Sequence, residues 1–280
     1  MSKQVAVASE HDLIVLGTVA PLHTYLGEMW ARRHFAYALA DGDLRVKHMN
    51  SVLGQMWHLL NPALMILVYY FIFGVFLGAR DGIDNYVAFL VAGVISFRYV
   101  QAVIIQCTRS VPANIGLIRS VQFPRALVPG AVTIEQTLAL LPGLLLVFVV
   151  AAVDGAPITW RILLLPAVIG AGASFALGLG FFGARIGASL TDLSQVLPHA
   201  FRILLYTSGV LFSLQRSVSN QLILTIFQLN PFYGFVSTVR WSIMAQPLEP
   251  LVVGSFLCWA LIAPVVGLWY FRRAEHQFGA

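Results

Sequence analysis

Long unbroken apolar runs, rather than alternation of polar and apolar positions, dominate this chain. Each of six is near the ~20 residues that a bilayer-spanning helix needs: about Trp57–Gly78, Tyr86–Cys107, Ala126–Val153, Arg161–Ile186, Val196–Leu214 and Leu251–Phe271. The first is approached through a polar, turn-prone stretch (Asn50, Ser51, Gly54) and an Asn61-Pro62 step. Residues 28–50 mix Trp30, Phe35, Tyr37 and Leu39 with Arg32, Arg33 and His34, the pattern of a helix lying in the headgroup region. Asp41-Gly42-Asp43 predicts a break in it, with Asp43 as an N-cap; as a metal-binding DxD it has no second carboxylate cluster to complete a site. Residues 215–249 are neither loop nor clean span. Asn230-Pro231 divides them, predicting two half-helices that dip into the membrane from the outer side or lie on it. The division expected is a tail over 1–27, the interfacial helix over 28–50, a six-span domain over 51–273 and a tail over 274–280.

Composition agrees. Of 280 residues 59% are hydrophobic and 10% charged, against about 25% charged in a soluble domain, and mean hydropathy is +0.81. The fold class expected is an all-α membrane protein. Net charge is +5, nearly all of it arginine, and reads as topological rather than nucleic-acid-binding. Lys3, Arg32, Arg33, Arg45, Lys47, Arg109, Arg119, Arg125, Arg185, Arg272 and Arg273 fall on the side of the termini, and Arg80, Arg161, Arg216 and Arg240 on the other. Eleven against four predicts a multi-pass plasma-membrane protein with both termini cytoplasmic. The N-terminus does not read as a secretory signal, and Cys107 and Cys258 read as buried apolar side chains.

No GxxxxGK[ST] motif is present, so the chain cannot cradle ATP phosphates by that route; any ATP hydrolysis belongs to another polypeptide. Charges inside apolar spans are functional candidates by default. Arg98 and Glu135 lie at similar depth on consecutive spans, which predicts a structural ion pair; a proton or ion site at Glu135 is the alternative. In the fifth span His199, Arg202, Tyr206, Gly209 and Ser213 share a face, and an anionic lipid phosphate at His199 and Arg202 competes with snorkelling of the arginine. Asn61, Met65, Tyr69 and Phe73 in the first span, and Phe89, Gly93, Ser96, Tyr99 and Gln106 in the second, form further stripes. Aromatic rings stack on sugar faces, but such stripes also serve packing or an interfacial belt. Gly172, Ala176, Gly180 and Ala184 permit close helix approach. Between Arg109 and Pro129, ANIGLIRSV predicts a short helix with Ile115, Leu117 and Ile118 available to lipid or to a partner's groove.

Four segments, in order, resemble the permease subunit of ABC exporters for lipid-linked polysaccharides, the family of O-antigen, teichoic-acid, capsule and galactan exporters. SVLGQMWHLLNPAL at Ser51–Leu64 matches the family's SxLGxxWxxLxP approach to the membrane. IFGVFLG followed by YVAFLVAG matches its first outward turn and second span. LIRSVQFPRALVP at Leu117–Pro129 matches its FPR-x-x-x-P segment, and LNPFYGFVSTVRW at Leu229–Trp241 its Asn-Pro segment followed by arginine. ANIGLIRSVQFPR is nearest to mycobacterial-type cell-wall galactan exporters. Arg98 departs from the family, which has an uncharged stretch there.

The resemblance implies a homodimer with two copies of a separate ATP-binding subunit that uses ATP and Mg. This chain would bind no cofactor or nucleic acid and catalyse nothing. The cargo would be a glycan on polyprenyl pyrophosphate. Asn114, Ile115, Leu117, Ile118, Arg119, Phe123, Pro124 and Arg125 would couple to the ATPase. Arg32, Arg33, Arg45, Lys47, His199 and Arg202 would admit the lipid pyrophosphate. Tyr69, Tyr70, Phe73, Ser96, Tyr99 and Tyr206 would line the glycan path. The rivals are a permease for small hydrophobic compounds, an ion-coupled secondary transporter and a membrane enzyme built on Asp41 and Asp43.

Overall fold

The computed structural model describes residues 21–48, 57–80, 82–157, 159–217, 220–275 and 278. Residues 1–20 and Ser51–Met56 of the membrane approach lie outside the described residues, as do the side chains of Arg45 and Lys47. All regular structure among the described residues is helical.

The helices are α1 (Leu22–Ala31), α2 (Arg33–His48), α3 (Trp57–Tyr69), continued by a π-helical turn at Tyr70–Phe76, α4 (Tyr86–Ala113), α5 (Ile115–Ser120), α6 (Leu127–Val153), α7 (Leu165–Ser189), preceded by a 3-10 turn at Trp160–Leu164, α8 (Leu193–Thr207), α9 (Leu214–Ser217), α10 (Gln221–Gln228), α11 (Pro231–Met244) and α12 (Pro250–Arg272). Four of them, α4, α6, α7 with its 3-10 turn, and α12, are long and apolar enough to cross a bilayer; the bent pair α10–α11 would make a fifth. The expected first and fifth spans appear as shorter helices, α3 with its π turn and α8.

α4 is the hub. It is apolar around most of its circumference, as a largely enclosed helix must be, and 78% of its apolar stretch is buried, against 28%, 39% and 33% for α6, α7 and α12. Asp154, after α6, caps it: the carboxylate accepts from the Ala88 amide at 3.0 Å, placing negative charge at the helix N-terminus. α7 packs between α4 and α12. Gly180 meets Cys107 of α4, where an added Cβ would stand 2.8 Å from its Sγ, and Gly178 lies against Ala263, Pro264 and Gly267 of α12. Within the expected stripe, Gly180 and Gly172 make close approaches, Gly172 to Phe235 of α11; the approach to α12 is made by Gly178, outside it.

Three expectations are corrected. α2 runs unbroken through Asp41-Gly42-Asp43, and the chain breaks instead at Arg32, between α1 and α2. α8 stops at Thr207, and Gly209 turns the chain at φ +57°, so Gly209 and Ser213 leave the stripe of His199, Arg202 and Tyr206. Arg98 does not meet Glu135. The depth argument was sound, since Tyr99 of α4 faces Thr137 of α6 at 2.8 Å. The azimuth was not: one residue turns ~100° around a helix, and Arg98 faces α3 and α8 instead.

The break at Asn230-Pro231 stands as expected. The Asn230 side chain accepts from the Phe232 amide at 3.0 Å, Pro231 opens α11, and α10 and α11 meet at 79°. α11 is buried along nearly all of its length.

Candidate functional site

Three clusters carry candidate function. The first is an aromatic file. Tyr69 packs on Phe73 (ring centroids 6.3 Å apart) and Phe73 on Tyr206 of α8 (6.2 Å), so three of the six expected path residues come together on the open side of α3 and α8. Tyr70 turns the other way, to Tyr86 at 6.4 Å, which stacks on Phe89. Ser96 and Tyr99 are closed inside the core; the Tyr99 ring lies against Phe235 of α11.

The second is a cavity of about 160 Å³ between α3, α4 and α8, into which Arg98 and Arg202 both project beside Tyr69 and Gln101. His199, one turn before Arg202, is exposed. The other expected cations lie elsewhere. Arg32 donates to the Gln122 carbonyl, and Arg33 to the Trp30 carbonyl at 3.0 Å.

The third is the segment around α5. Ile118 turns inward with Tyr25 and Val111 and is not available to a partner, a correction forced by its place in the smaller apolar cluster. Ile115 (37% exposed) and Val121 (47%) face outward with Gly116 and Arg119, and Leu117 is half-buried. Asn114 bonds back to the Ser110 carbonyl at 2.9 Å. Two elements hold the Phe123–Arg125 stretch that follows. From α2, Phe35 packs on Phe123 at 5.0 Å. From the chain ends, Glu275 accepts the Arg125 amide at 2.7 Å and the Tyr25 hydroxyl at 3.0 Å, while that hydroxyl accepts the Ala126 amide at 3.2 Å. Pro124 is buried among them.

This latch joins residues 250 apart, so no local signal could have revealed it. Burial, and next the neighbouring Glu275, push the Tyr25 phenol well above its usual range, so it stays a donor. Burial also raises the Glu275 carboxyl, though hydrogen bonds from Arg125 and Tyr25 hold it back in part. A raised acid binds its proton more tightly in the docked state. The stability it contributes is therefore present below the free-glutamate pKa of about 4.3 and lost as pH rises through the raised value. Hydrogen exchange across Leu22–Ala31, corrected for intrinsic rate, is expected to quicken over that window. Glu275→Gln should flatten the dependence, because its amide oxygen still accepts both donors; an equally steep profile in that variant would remove Glu275 as the cause.

Arg240 was read from the sequence as an outer-loop charge. It is instead 3% exposed, and donates to the carbonyls of Phe89 (3.1 Å), Gly209 (2.8 Å) and Val210 (2.8 Å). It borders a second cavity, of about 420 Å³, with Asp84, Tyr233 and Glu249. An arginine inside the apolar run FYGFVSTVRWSIM was the available signal.

No protein-family model matches the chain. Curated proteins do. The O-antigen export system permease protein RfbA of Myxococcus xanthus is 23% identical over 251 residues, covering 89% of this chain and 96% of the relative. Two proteins of the same description from Klebsiella pneumoniae are 23% and 22% identical over 242 residues, covering 86% of this chain and 92% of each relative. Along nearly its full length, then, this chain is similar to proteins described as O-antigen export system permeases.

Proposed function

We propose that the chain is the transmembrane subunit of an ATP-driven exporter, moving polysaccharide linked to polyprenyl pyrophosphate from the cytoplasmic to the outer face of the plasma membrane. The observation that carries this reading is the near-full-length similarity to O-antigen export permeases. In an ABC system a permease works with a separate ATP-binding subunit, here two copies on a homodimer of this chain. The ATP and Mg belong to that subunit.

The six spans of this reading are α3 with its π turn, α4, α6, α7, α8 and α12, with α10 and α11 as a re-entrant pair on the outer side and both termini cytoplasmic. A π turn inside an apolar helix is rare and frequently marks a functional site; here it follows Tyr69 and contains Phe73. The glycan passes along Tyr69, Phe73 and Tyr206, whose rings offer flat faces to sugars. The outward side of α5 receives the ATPase. A galactan cargo is a narrower reading, supported by the ANIGLIRSVQFPR segment.

Replacing Tyr69, Phe73 and Tyr206 together by alanine tests the path. Three ring faces are lost at once, and each 1.4 kcal/mol is a factor of ten, so surface glycan is expected to fall at least about tenfold while the ATPase still co-purifies. Undiminished glycan at the cell surface in that triple variant would take this file out of the path.

A further inference from the structure

Arg98 stands halfway along α4, 12 residues after Tyr86 and 15 before Ala113, or about 18 Å and 22 Å from the two ends. Both lengths exceed half of a ~30 Å hydrocarbon core. Its Nη1 is buried and has no hydrogen-bond partner. The cavity it faces holds a second guanidinium, Arg202 from α8, and no carboxylate. Tyr69 and Gln101 supply a hydroxyl and an amide; the remaining lining is apolar. Arg98, Arg202 and Tyr69 thus border the same cavity.

Two like charges bordering one cavity repel each other, and the buried Nη1 of Arg98 is costly to leave unpaired, unless an anion sits between them. Guanidinium forks match phosphoryl oxygens in geometry and need no proton exchange to do so. We propose that the α3–α4–α8 cavity is an intramembrane binding site for a lipid-borne phosphoryl anion, held between Arg98 and Arg202, with Tyr69 and Gln101 as hydrogen-bonding partners. The cavity opens on the exposed side of α3 and α8, where Arg202 is exposed, and it does not include Arg32 or Arg33, which donate to the Gln122 and Trp30 carbonyls. Only the identity of the lipid rests on the exporter reading above; the anion chemistry rests on the cavity. Two sources fit that chemistry, the pyrophosphate of a polyprenyl carrier and the headgroup of a resident anionic phospholipid.

The test uses the full chain in phosphatidylcholine nanodiscs, titrated separately with farnesyl pyrophosphate, phosphatidylglycerol and inorganic pyrophosphate. Farnesyl pyrophosphate is expected to bind, with affinity at least tenfold weaker in Arg98→Gln and in Arg202→Gln. If both arginines hold one anion, the double variant should lose little more than either single one, and Arg98→Lys should retain part of the binding. Preference for farnesyl pyrophosphate assigns the site to the polyprenyl carrier, and equal or better binding of phosphatidylglycerol assigns it to a resident lipid; both support the phosphoryl site. Binding of inorganic pyrophosphate alone overturns the lipid-borne assignment. Unchanged affinity in both glutamine variants overturns the site itself.

A second measurement needs no variant. Phenylglyoxal modification of Arg98 and Arg202 in the unaltered chain, mapped by mass spectrometry, should be suppressed by whichever lipid binds, and unprotected arginines at saturating lipid would also end the proposal. Neither readout depends on export. A chain that binds the anion but exports no glycan would retain the site and lose the exporter reading, and the converse result would do the reverse.

Discussion

Arg240→Met is expected to destabilise the protein by about 3–5 kcal/mol, the scale of leaving buried carbonyls without their donor at about 1–3 kcal/mol each. The guanidinium donates to three carbonyls from two separate parts of the chain, Phe89 in α4 and Gly209 and Val210 after α8, and its centre lies 3.3 Å from the Phe89 ring centroid. Gly209 and Val210 carry carbonyls that no helix satisfies, because the chain leaves α8 through a left-handed turn there. Without the arginine these acceptors are buried and unpaired, at about 1–3 kcal/mol each. Methionine fills much of the volume but offers no donor. Gly93 makes room for the guanidinium: a Cβ there would collide with Nη2.

Thermal unfolding of the purified chain, at roughly 2–4 °C per kcal/mol for a domain of 150–250 residues, should fall by about 6–20 °C. Arg240→Lys should lie between, since an ammonium lacks the planar fork that spans three carbonyls. A methionine variant that melts with the parent would show that the three carbonyls find other donors and that the α4–α8–α11 junction does not depend on this charge.

The long apolar helices were legible because their signal is local. The runs at Tyr86–Cys107, Ala126–Val153, Arg161–Ile186 and Leu251–Phe271 recur as α4, α6, α7 and α12 with ends moved by a few residues. The Asn230-Pro231 break was legible for the same reason, since an asparagine cap and a proline at the first helical position act within one turn. What failed were statements about which way a residue faces. Tyr99 and Ser96 fit a stripe, but a stripe marks a lined path only on a helix with an open side, and α4 has almost none. Arg98 and Glu135 were matched by depth, and depth leaves the angle around each helix free. Arg240 was counted by its position between spans, whereas α11 folds inward and carries it into the core. The Tyr25–Glu275 latch needs both ends of the chain at once. For the path, Tyr69, Phe73 and Tyr206 were named from chemistry and do meet; that they meet across α3 and α8 only packing could show.

On the exporter reading proposed above, Ile115→Asp combined with Val121→Asp is expected to weaken association with a separate ATP-binding subunit more than tenfold, and to abolish export, without unfolding the chain. Both side chains face outward, so two carboxylates there meet water in the isolated chain and cost it little. Buried under a partner, two unpaired charges would cost several kcal/mol, and each 1.4 kcal/mol is a factor of ten in affinity. The melting temperature should stay within about 2 °C of the parent. Ile118→Asp separates the two faces of the same helix. It places its charge in the cluster with Tyr25 and Val111, and should lower the melting temperature first.

Phe123→Ala separates binding from transmission. It removes the ring contact with Phe35, ~1 kcal/mol beyond area burial, while leaving the outward side of α5 intact. If this segment receives the motion of a separate ATPase, as proposed above, that ATPase should still bind and glycan exported per ATP hydrolysed should fall several-fold, because the segment is no longer tied to α2. Reconstituted vesicles containing both subunits give the three quantities together: subunit ratio, ATP turnover and glycan moved. If the Ile115/Val121 variant keeps a full complement of ATPase, the motor docks elsewhere. The doubly held Phe123–Arg125 stretch would then be a brace between the chain ends and α6, rather than the point where ATP-driven movement reaches the spans.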